Sequence, residues 1–182
     1  CTEYGILLIF DEVISGFRVG FEGAAGHYNI QPDLITMGKV IGGGMPVGAY
    51  GGRSDIMACV APEGDVYQAG TLSGNPVAMA AGMAQLSLCL EPDFYKSMES
   101  KTKVFLEPIR AFAADKSMQV VQFGSIFWMA FGEGTEAIRK ASQIESAGMD
   151  VFRELHRYLL DNGVYLGPSG YEVGFVSSAH SA

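Results

Sequence analysis

Ile35-Thr36-Met37-Gly38-Lys39-Val40-Ile41-Gly42-Gly43-Gly44 is the stretch around which the rest of the chain is arranged. A short apolar run, Leu34 to Met37, ends in a glycine; a lysine follows, and then a run of three glycines. A lysine just past a buried strand is partly desolvated, which disfavours its charged form and lowers its pKa. A neutral amine at the rim of a sheet is what a carbonyl cofactor needs to form a Schiff base. The glycines let backbone approach a ligand closely and adopt positive φ. Taken alone, the stretch also reads as a strand, a turn and a solvated lysine, the ordinary state of that side chain.

Upstream, Ile6-Leu7-Leu8-Ile9-Phe10 is a continuous apolar run ending in Asp11-Glu12. Such runs mark strands buried on both faces, as in parallel sheets covered by helices. Ligands bind at the carboxyl ends of such strands, so Asp11 is well placed to act and Glu12 must point elsewhere. Asp11 as a plain cap or turn residue stays open. Downstream, Val47 to Gly52 reads as a third strand, and Ser54 as the N-cap of a short helix through Ala58. Tyr67-Gln68-Ala69-Gly70-Thr71-Leu72-Ser73-Gly74-Asn75-Pro76 precedes a helix from about Pro76 to Leu90, with proline near its first turn. Small hydroxyls and backbone N–H groups ahead of a helix receive a phosphate, or simply cap the helix.

Pro92-Asp93 reads as a domain boundary, giving units 1–91 and 92–182. Asp93 caps a helix running to about Ala114, which Pro108 is expected to kink or break. Gln119 to Phe123 and Ser125 to Phe131 are two strands meeting at Gly124, with Trp128 in the core. Met149 to Leu160 is helical and stops at Asn162-Gly163. Val164 to Leu166 and Gly174 to Ser178 are short strands. The order is β/α with parallel-type strands to Leu90 and α+β after it.

The 182 residues are 48% hydrophobic, ample for a core, and carry a net charge of −8 without a basic cluster. That balance argues against nucleic acid or an anionic membrane as partner. No apolar run reaches the roughly 18 residues of a membrane span. Cys1, Cys59 and Cys89 are an odd number without metal-type spacing, read as free thiols in a reducing compartment, and no metal is expected. The chain begins at Cys1 and ends without a closing helix, and is expected to be a segment of a longer protein.

Asp11 and Lys39 each end a short apolar strand, so both can face one crevice. Given an aromatic aldehyde with a ring nitrogen and a phosphate, Lys39 would form the imine and Asp11 would keep the ring nitrogen protonated, making the ring an electron sink. Thr71 and neighbouring N–H groups would take the phosphate. At these residues the chain resembles the fold-type I pyridoxal-phosphate enzymes, specifically the class III aminotransferase family. The carrying motifs are Leu8-Ile9-Phe10-Asp11-Glu12-Val13 with Gly16-Phe17-Arg18, then Pro32-Asp33-Leu34 with Gly38-Lys39, then Gly70-Thr71. Gly42 to Gly52, Val66 to Pro76, Gly163 to Ser169 and Tyr171 to Ser177 look like a branch of that family that shifts an amino group within one substrate.

The resemblance implies the C-terminal part of the cofactor-binding large domain, a mostly parallel sheet with helices on both faces, followed by a small α+β domain. It implies pyridoxal 5'-phosphate, passing through the pyridoxamine form, and conversion of glutamate-1-semialdehyde to 5-aminolevulinate, an isomerisation. Lys39 would be the Schiff-base lysine and proton carrier, Asp11 the partner of the ring nitrogen, and Val13 a packing surface for the ring. Gly70 and Thr71 would reach the phosphate held mainly by a neighbouring subunit, implying a homodimer with shared sites. Tyr67 and Glu172 would line the substrate pocket. The family's phosphate-binding Gly/Ser turn and ring-stacking aromatic would stand before Asp11, so the segment is expected to hold the cofactor poorly alone. The resemblance leaves room for contact with the enzyme supplying the semialdehyde, and implies a cytoplasmic setting, or the plastid stroma in a plant or alga.

Within the family, an ω-aminotransferase with a separate acceptor is the alternative. It calls for a C-terminal arginine gripping a carboxylate, and Arg139, Arg153 and Arg157 do not follow strands as that role requires. A non-catalytic protein of the same fold is opposed by the intact Asp11, Lys39 and Thr71. A dinucleotide-binding domain is opposed by the lack of a Gly-x-Gly-x-x-Gly stretch after the first strand.

Overall fold

The computed structural model describes residues 1–134 and 136–181 and divides into two compact units, Cys1–Tyr95 and Lys96–Ala182. The first is built on a three-stranded sheet of β1 (Ile9–Glu12), β2 (Leu34–Met37) and β3 (Ala49–Gly52), in that order. β1 and β2 pair in parallel, with Asp11 opposite Thr36 and Glu12 opposite Met37. β3 returns antiparallel to β2, so the sheet is mixed rather than parallel throughout.

Asp33 pins the base of this sheet. Its carboxylate accepts from the Leu8 amide (2.7 Å) and from the Arg53 guanidinium (2.6 Å). The Leu8 carbonyl in turn accepts from the Asp33 and Leu34 amides. One side chain therefore sets the start of β1, the start of β2 and the exit of β3. Glu12 does the corresponding work at the other end. It is 1% exposed, and its carboxylate accepts from the Ala24 and Ala25 amides (3.0 and 2.7 Å) and from the Ser15 hydroxyl. It thereby satisfies donors at the start of α1 (Gly23–Tyr28).

Two strand expectations need correction. β1 runs Ile9–Glu12 rather than Ile6 to Phe10, because the ladder to β2 continues through Asp11 and Glu12. It is not buried on both faces: Ile6 is 60% and Ile9 56% exposed. Burial on both sides needs a layer against each face, and nothing among the described residues covers these side chains.

A short helix, α2 (Ser54–Met57), follows β3; Arg53, not Ser54, holds its N-cap position, without a side-chain cap bond. The next, α3 (Pro76–Cys89), is begun by Asn75, whose side chain accepts from the Ala78 amide (3.0 Å), with Pro76 in the first turn. It is apolar nearly all round. Ala78, Gly82 and Cys89 are buried, whereas Val77 and Met83 are exposed.

The helix α4 (Phe94–Ala113), which lies in the second unit from Lys96 on, runs through Pro108 without a break. Proline removes one amide and leaves the carbonyl four residues back without a helical partner; that residue, Val104, is exposed to water. Met98, Thr102 and Leu106 recur every fourth residue on the buried face of α4. β4 (Met118–Phe123) and β5 (Ile126–Phe131) form a hairpin whose turn holds Gly124 at φ 56, and β6 (Gly174–Phe175) pairs antiparallel to β5. Trp128 is half-buried and donates from its indole nitrogen to the Gly170 carbonyl (2.8 Å). α5 (Gly148–Asp161) ends in a paired cap, the Gly163 amide donating to Leu160 O and the Val164 amide to Leu159 O. That cap takes up the Val164 amide, and the strand expected at Val164 to Leu166 does not form.

Candidate functional site

Parallel pairing places Asp11 and Thr36 side by side on adjacent strands, one residue short of the ends of β1 and β2. Asp11 Oδ1 accepts from the Val13 amide (3.0 Å) and from the Thr36 hydroxyl (3.3 Å). Among the described residues Oδ2 takes no hydrogen bond. The carboxylate is thus oriented by one oxygen and offers the other to solvent. Thr36 is a partner that sequence spacing alone did not single out; only the register reveals it.

Lys39 follows two residues past the end of β2. Gly38 is fully extended, and a Cβ on it would stand 3.2 Å from Val13 Cγ1, so the Val13 side chain lies over the missing side chain of Gly38. Lys39 itself takes φ 47, a left-handed conformation rare outside glycine. It opens a 3-10 turn, Lys39–Gly42, whose Ile41 amide donates to Gly38 O. The lysine side chain is exposed among the described residues, so the burial expected from the sequence is not found there. Asp11 and Val13, at and just past the end of β1, and Lys39, just past the end of β2, lie at the same carboxyl end of the paired strands.

The remaining residues stand apart. Gly70 lines a 620 Å³ cavity with Ile41, Pro46, Val47 and Gly82, next to the turn that carries Lys39. Its carbonyl accepts from the Ser73 amide, closing a turn ahead of α3. Thr71 and Tyr67 are exposed, and no contact to Lys39 is found among the described residues. Glu172 belongs to the second unit, in the loop before β6, with its carboxylate against Gly167.

Charged neighbours brace the first unit. The Leu8 amide, and after it Arg53, hold the Asp33 carboxyl below its ordinary range, and Asp55 and Asp33 hold the Arg53 guanidinium above its own. Burial lowers the pKa of Arg18 and raises that of Tyr95, whose hydroxyl donates to Phe17 O (3.2 Å). His156 and His180 bond to Leu166 O and to Ser177. Among the described residues no group of His, Cys, Asp and Glu is arranged to hold a metal, and no helix is long and apolar enough to cross a membrane.

This donor set fits a phosphorylated pyridine aldehyde: an amine for the carbonyl, a carboxylate with an uncommitted oxygen for a protonated ring nitrogen, and an apolar wall at Val13. The family model for class-III aminotransferases matches residues 1–179. The chain belongs to the class-III aminotransferase family. Among solved structures it is similar to a β-phenylalanine aminotransferase from Variovorax paradoxus, at 32% identity and a TM-score of 0.86, over 99% of this chain and 41% of that one. It is also similar to an ω-transaminase from Sphaerobacter thermophilus (31%, TM-score 0.75, 97% of this chain and 40% of that). A glutamate-1-semialdehyde aminomutase from Pseudomonas aeruginosa PAO1, in complex with PMP, matches at 25% with a TM-score of 0.79, over 99% of this chain and 42% of that. The chain therefore spans about two fifths of the length of these solved proteins. The fold is that of a fold-type I class-III enzyme, with its α/β and α+β parts in the order described.

Proposed function

We propose that this chain carries the lysine-bearing part of a pyridoxal-phosphate enzyme that moves an amino group. More finely, we infer an intramolecular transfer that turns glutamate-1-semialdehyde into 5-aminolevulinate for tetrapyrrole synthesis, the reaction of glutamate-1-semialdehyde 2,1-aminomutase. The observation that supports the first reading is the placing of Asp11, Val13 and Lys39 at the same carboxyl end of β1 and β2, with Asp11 braced by Thr36. The second rests on the stretches that look like the mutase branch well outside the cofactor residues, above all Gly163 to Ser169 and Tyr171 to Ser177.

When bound, the cofactor supplies an electron sink for charge developing at a substrate carbon. Lys39 Nζ would hold the cofactor at its aldehyde carbon and, as a free amine, would carry protons between neighbouring carbons of the substrate. Asp11 hydrogen-bonds the ring nitrogen through its uncommitted oxygen and keeps that nitrogen protonated. Val13 packs against the ring. Gly70 and Thr71 contribute N–H and hydroxyl donors to the phosphate in a neighbouring subunit, so the working form is a homodimer with shared sites. Tyr67 and Glu172 line the substrate pocket, where a carboxylate suits a substrate carrying an amine. We place the functional boundary after residue 91, four residues before the division between the compact units, and the setting as cytoplasmic, or plastid stroma in a plant or alga.

A class-III ω-aminotransferase with a separate keto-acid acceptor is the second reading, favoured by the higher identity to two aminotransferases than to the mutase. The test uses the complete protein. Its absorbance is recorded before and after borohydride, with Lys39→Ala alongside, and glutamate-1-semialdehyde is then added with no other amino donor or acceptor. A cofactor band that borohydride removes, absent in Lys39→Ala, together with 5-aminolevulinate formed without co-substrate, is the expected result. Product only when a keto acid is supplied moves the protein to the aminotransferases. No cofactor signal in the unaltered protein would sink the Lys39 assignment.

A further inference from the structure

We propose that Gly82, midway along α3, is a positioning residue for Lys39, holding the amine where it meets the cofactor's aldehyde. The inference rests on the reading of Lys39 as the cofactor-linking lysine. Its starting point is the left-handed φ of 47 at Lys39. A lysine persists in that conformation only where its surroundings over-determine it.

The surroundings are named by the packing. On one side, extended Gly38 lies under Val13. On the other, the turn Lys39–Gly42 is closed by the Ile41 amide on Gly38 O (3.3 Å) and the Gly43 amide on Val40 O (3.1 Å). This turn lies directly on the backbone of α3. A Cβ on Gly82 would stand well inside contact with the Ile41 carbonyl oxygen, and a Cβ on Gly43, itself at φ 56, well inside contact with the Ala81 carbonyl oxygen. Both obstacles are main chain, which cannot swing aside as a flexible side chain does. From the third direction Val47 closes on Gly42, with Cβ and Cγ2 both 3.5 Å from where a Cβ would be. Helix and turn thus meet backbone to backbone at Gly82 and Gly43, with the Gln85 Cβ alongside Gly43. The same helix is begun by Asn75, at the end of the loop holding Gly70 and Thr71. The amine and the proposed phosphate-binding loop are therefore both referenced to α3.

The step affected is the condensation of Lys39 Nζ with pyridoxal 5'-phosphate. The nitrogen lone pair attacks the aldehyde carbon and a C=N bond replaces C=O. The oxygen leaves as water with the two protons given up by the amine. A methyl at Gly82 forces the turn and the helix apart by about 1 Å, and misplacement of that size costs roughly 100-fold in rate.

The experiment takes the complete apoprotein, adds pyridoxal 5'-phosphate and follows the visible band, in the unaltered protein and in Gly82→Ala, Val47→Ala and Gly51→Ala. Three readouts are taken: the rate at which the band appears, the pH midpoint of its spectral change, and the melting temperature. Gly51 pairs with Ile35 in the same sheet but has open space where a Cβ would go, so its variant controls for a mere added methyl. Expected is a folded Gly82→Ala that links the cofactor roughly 100-fold more slowly, with a displaced pH midpoint. Val47→Ala, which loosens the turn without a clash, shifts both readouts in the same direction by less, and Gly51→Ala leaves them unchanged. A folded Gly82→Ala with the unaltered rate and midpoint overturns the inference. Should Gly82→Ala fail to fold, Val47→Ala decides, and an unchanged rate and midpoint there overturns it too. A borohydride-stable linkage at Lys39 in the unaltered protein separates this from failure of the cofactor assignment itself, whose absence overturns both.

Discussion

Replacing Glu12 by alanine should loosen the segment between β1 and β2 far more than it loosens the rest of the chain. The side chain is 1% exposed and accepts from the Ala24 and Ala25 amides and the Ser15 hydroxyl. α1 spans only six residues, too short to hold itself together in water. Its first donors look inward to this carboxylate, and Gly23 allows the approach: a Cβ there would stand 2.7 Å from Glu12 Oε2. Alanine leaves the buried Ala25 amide and the part-buried Ala24 amide without an acceptor, at about 1–3 kcal/mol for a buried one and less for the other, or roughly 2–4 kcal/mol in all. At about 1.4 kcal/mol per factor of ten, hydrogen-exchange protection of the Ala24 and Ala25 amides should fall by roughly 30-fold or more. Glu12→Gln keeps the shape and one acceptor oxygen, orphans about one donor, and should fall between the two. Exchange measured by NMR reads these amides individually, with α4 amides as the internal control. Protection of Ala24 and Ala25 in Glu12→Ala within threefold of the unaltered protein would refute the reasoning.

Asn75→Ala removes the acceptor for the Ala78 amide and the donor to Leu72 O. It should cost about 1 kcal/mol, seen as a lower urea midpoint with an unchanged slope. Asp33 gives a pH dependence whose sign is fixed by its depressed pKa, caused first by the Leu8 amide and then by Arg53. Its contribution is complete above the ordinary aspartate value of about 3.9 and is lost as pH falls through the lower folded value. The Leu8 amide should therefore lose protection only in that acid range. In Asp33→Asn this acid-side step should vanish, and its persistence would assign the titration to another group.

The lysine stretch was legible because Lys39 is flanked by an apolar run and by glycines whose purpose is conformational. The structure bears out β2 at Leu34–Met37 to the residue. The helix beginning at Pro76 and the hairpin at Gly124 were legible for the same local reasons: a capping Asn-Pro pair and a lone glycine between two apolar runs. What failed is long-range. The Ile6 to Phe10 run looks the same whether its faces are covered or bare, so its exposure could not be read from it. The strand expected at Val164 was lost to a helix cap that claims its amide. Glu12 was rightly separated from Asp11, but its partners lie 12 and 13 residues downstream, where a glycine-rich stretch gives no sign of a helix start. Thr36 became visible as the brace of Asp11 only through strand register. Gly82 looked like one small residue among many until the Ile41 carbonyl was placed over it.

The registers of the two sheets also differ in the length of chain each must close. β4 and β5 are joined by a tight turn, and their innermost pair, Phe123 with Ile126, is nearly adjacent in sequence. β1 must instead find Leu34 and its successors across the whole glycine-rich stretch and α1. Closing a longer loop carries an entropic cost before any contact offsets it, and chains rich in distant pairings fold slowly. The hairpin therefore closes the shorter loop, whereas β6 pairs with β5 across a connection that includes α5. The strand ends that carry Asp11 and lead into Lys39 depend on the pairing of β1 with β2 across that long connection, and so carry the larger closure cost of the two sheets.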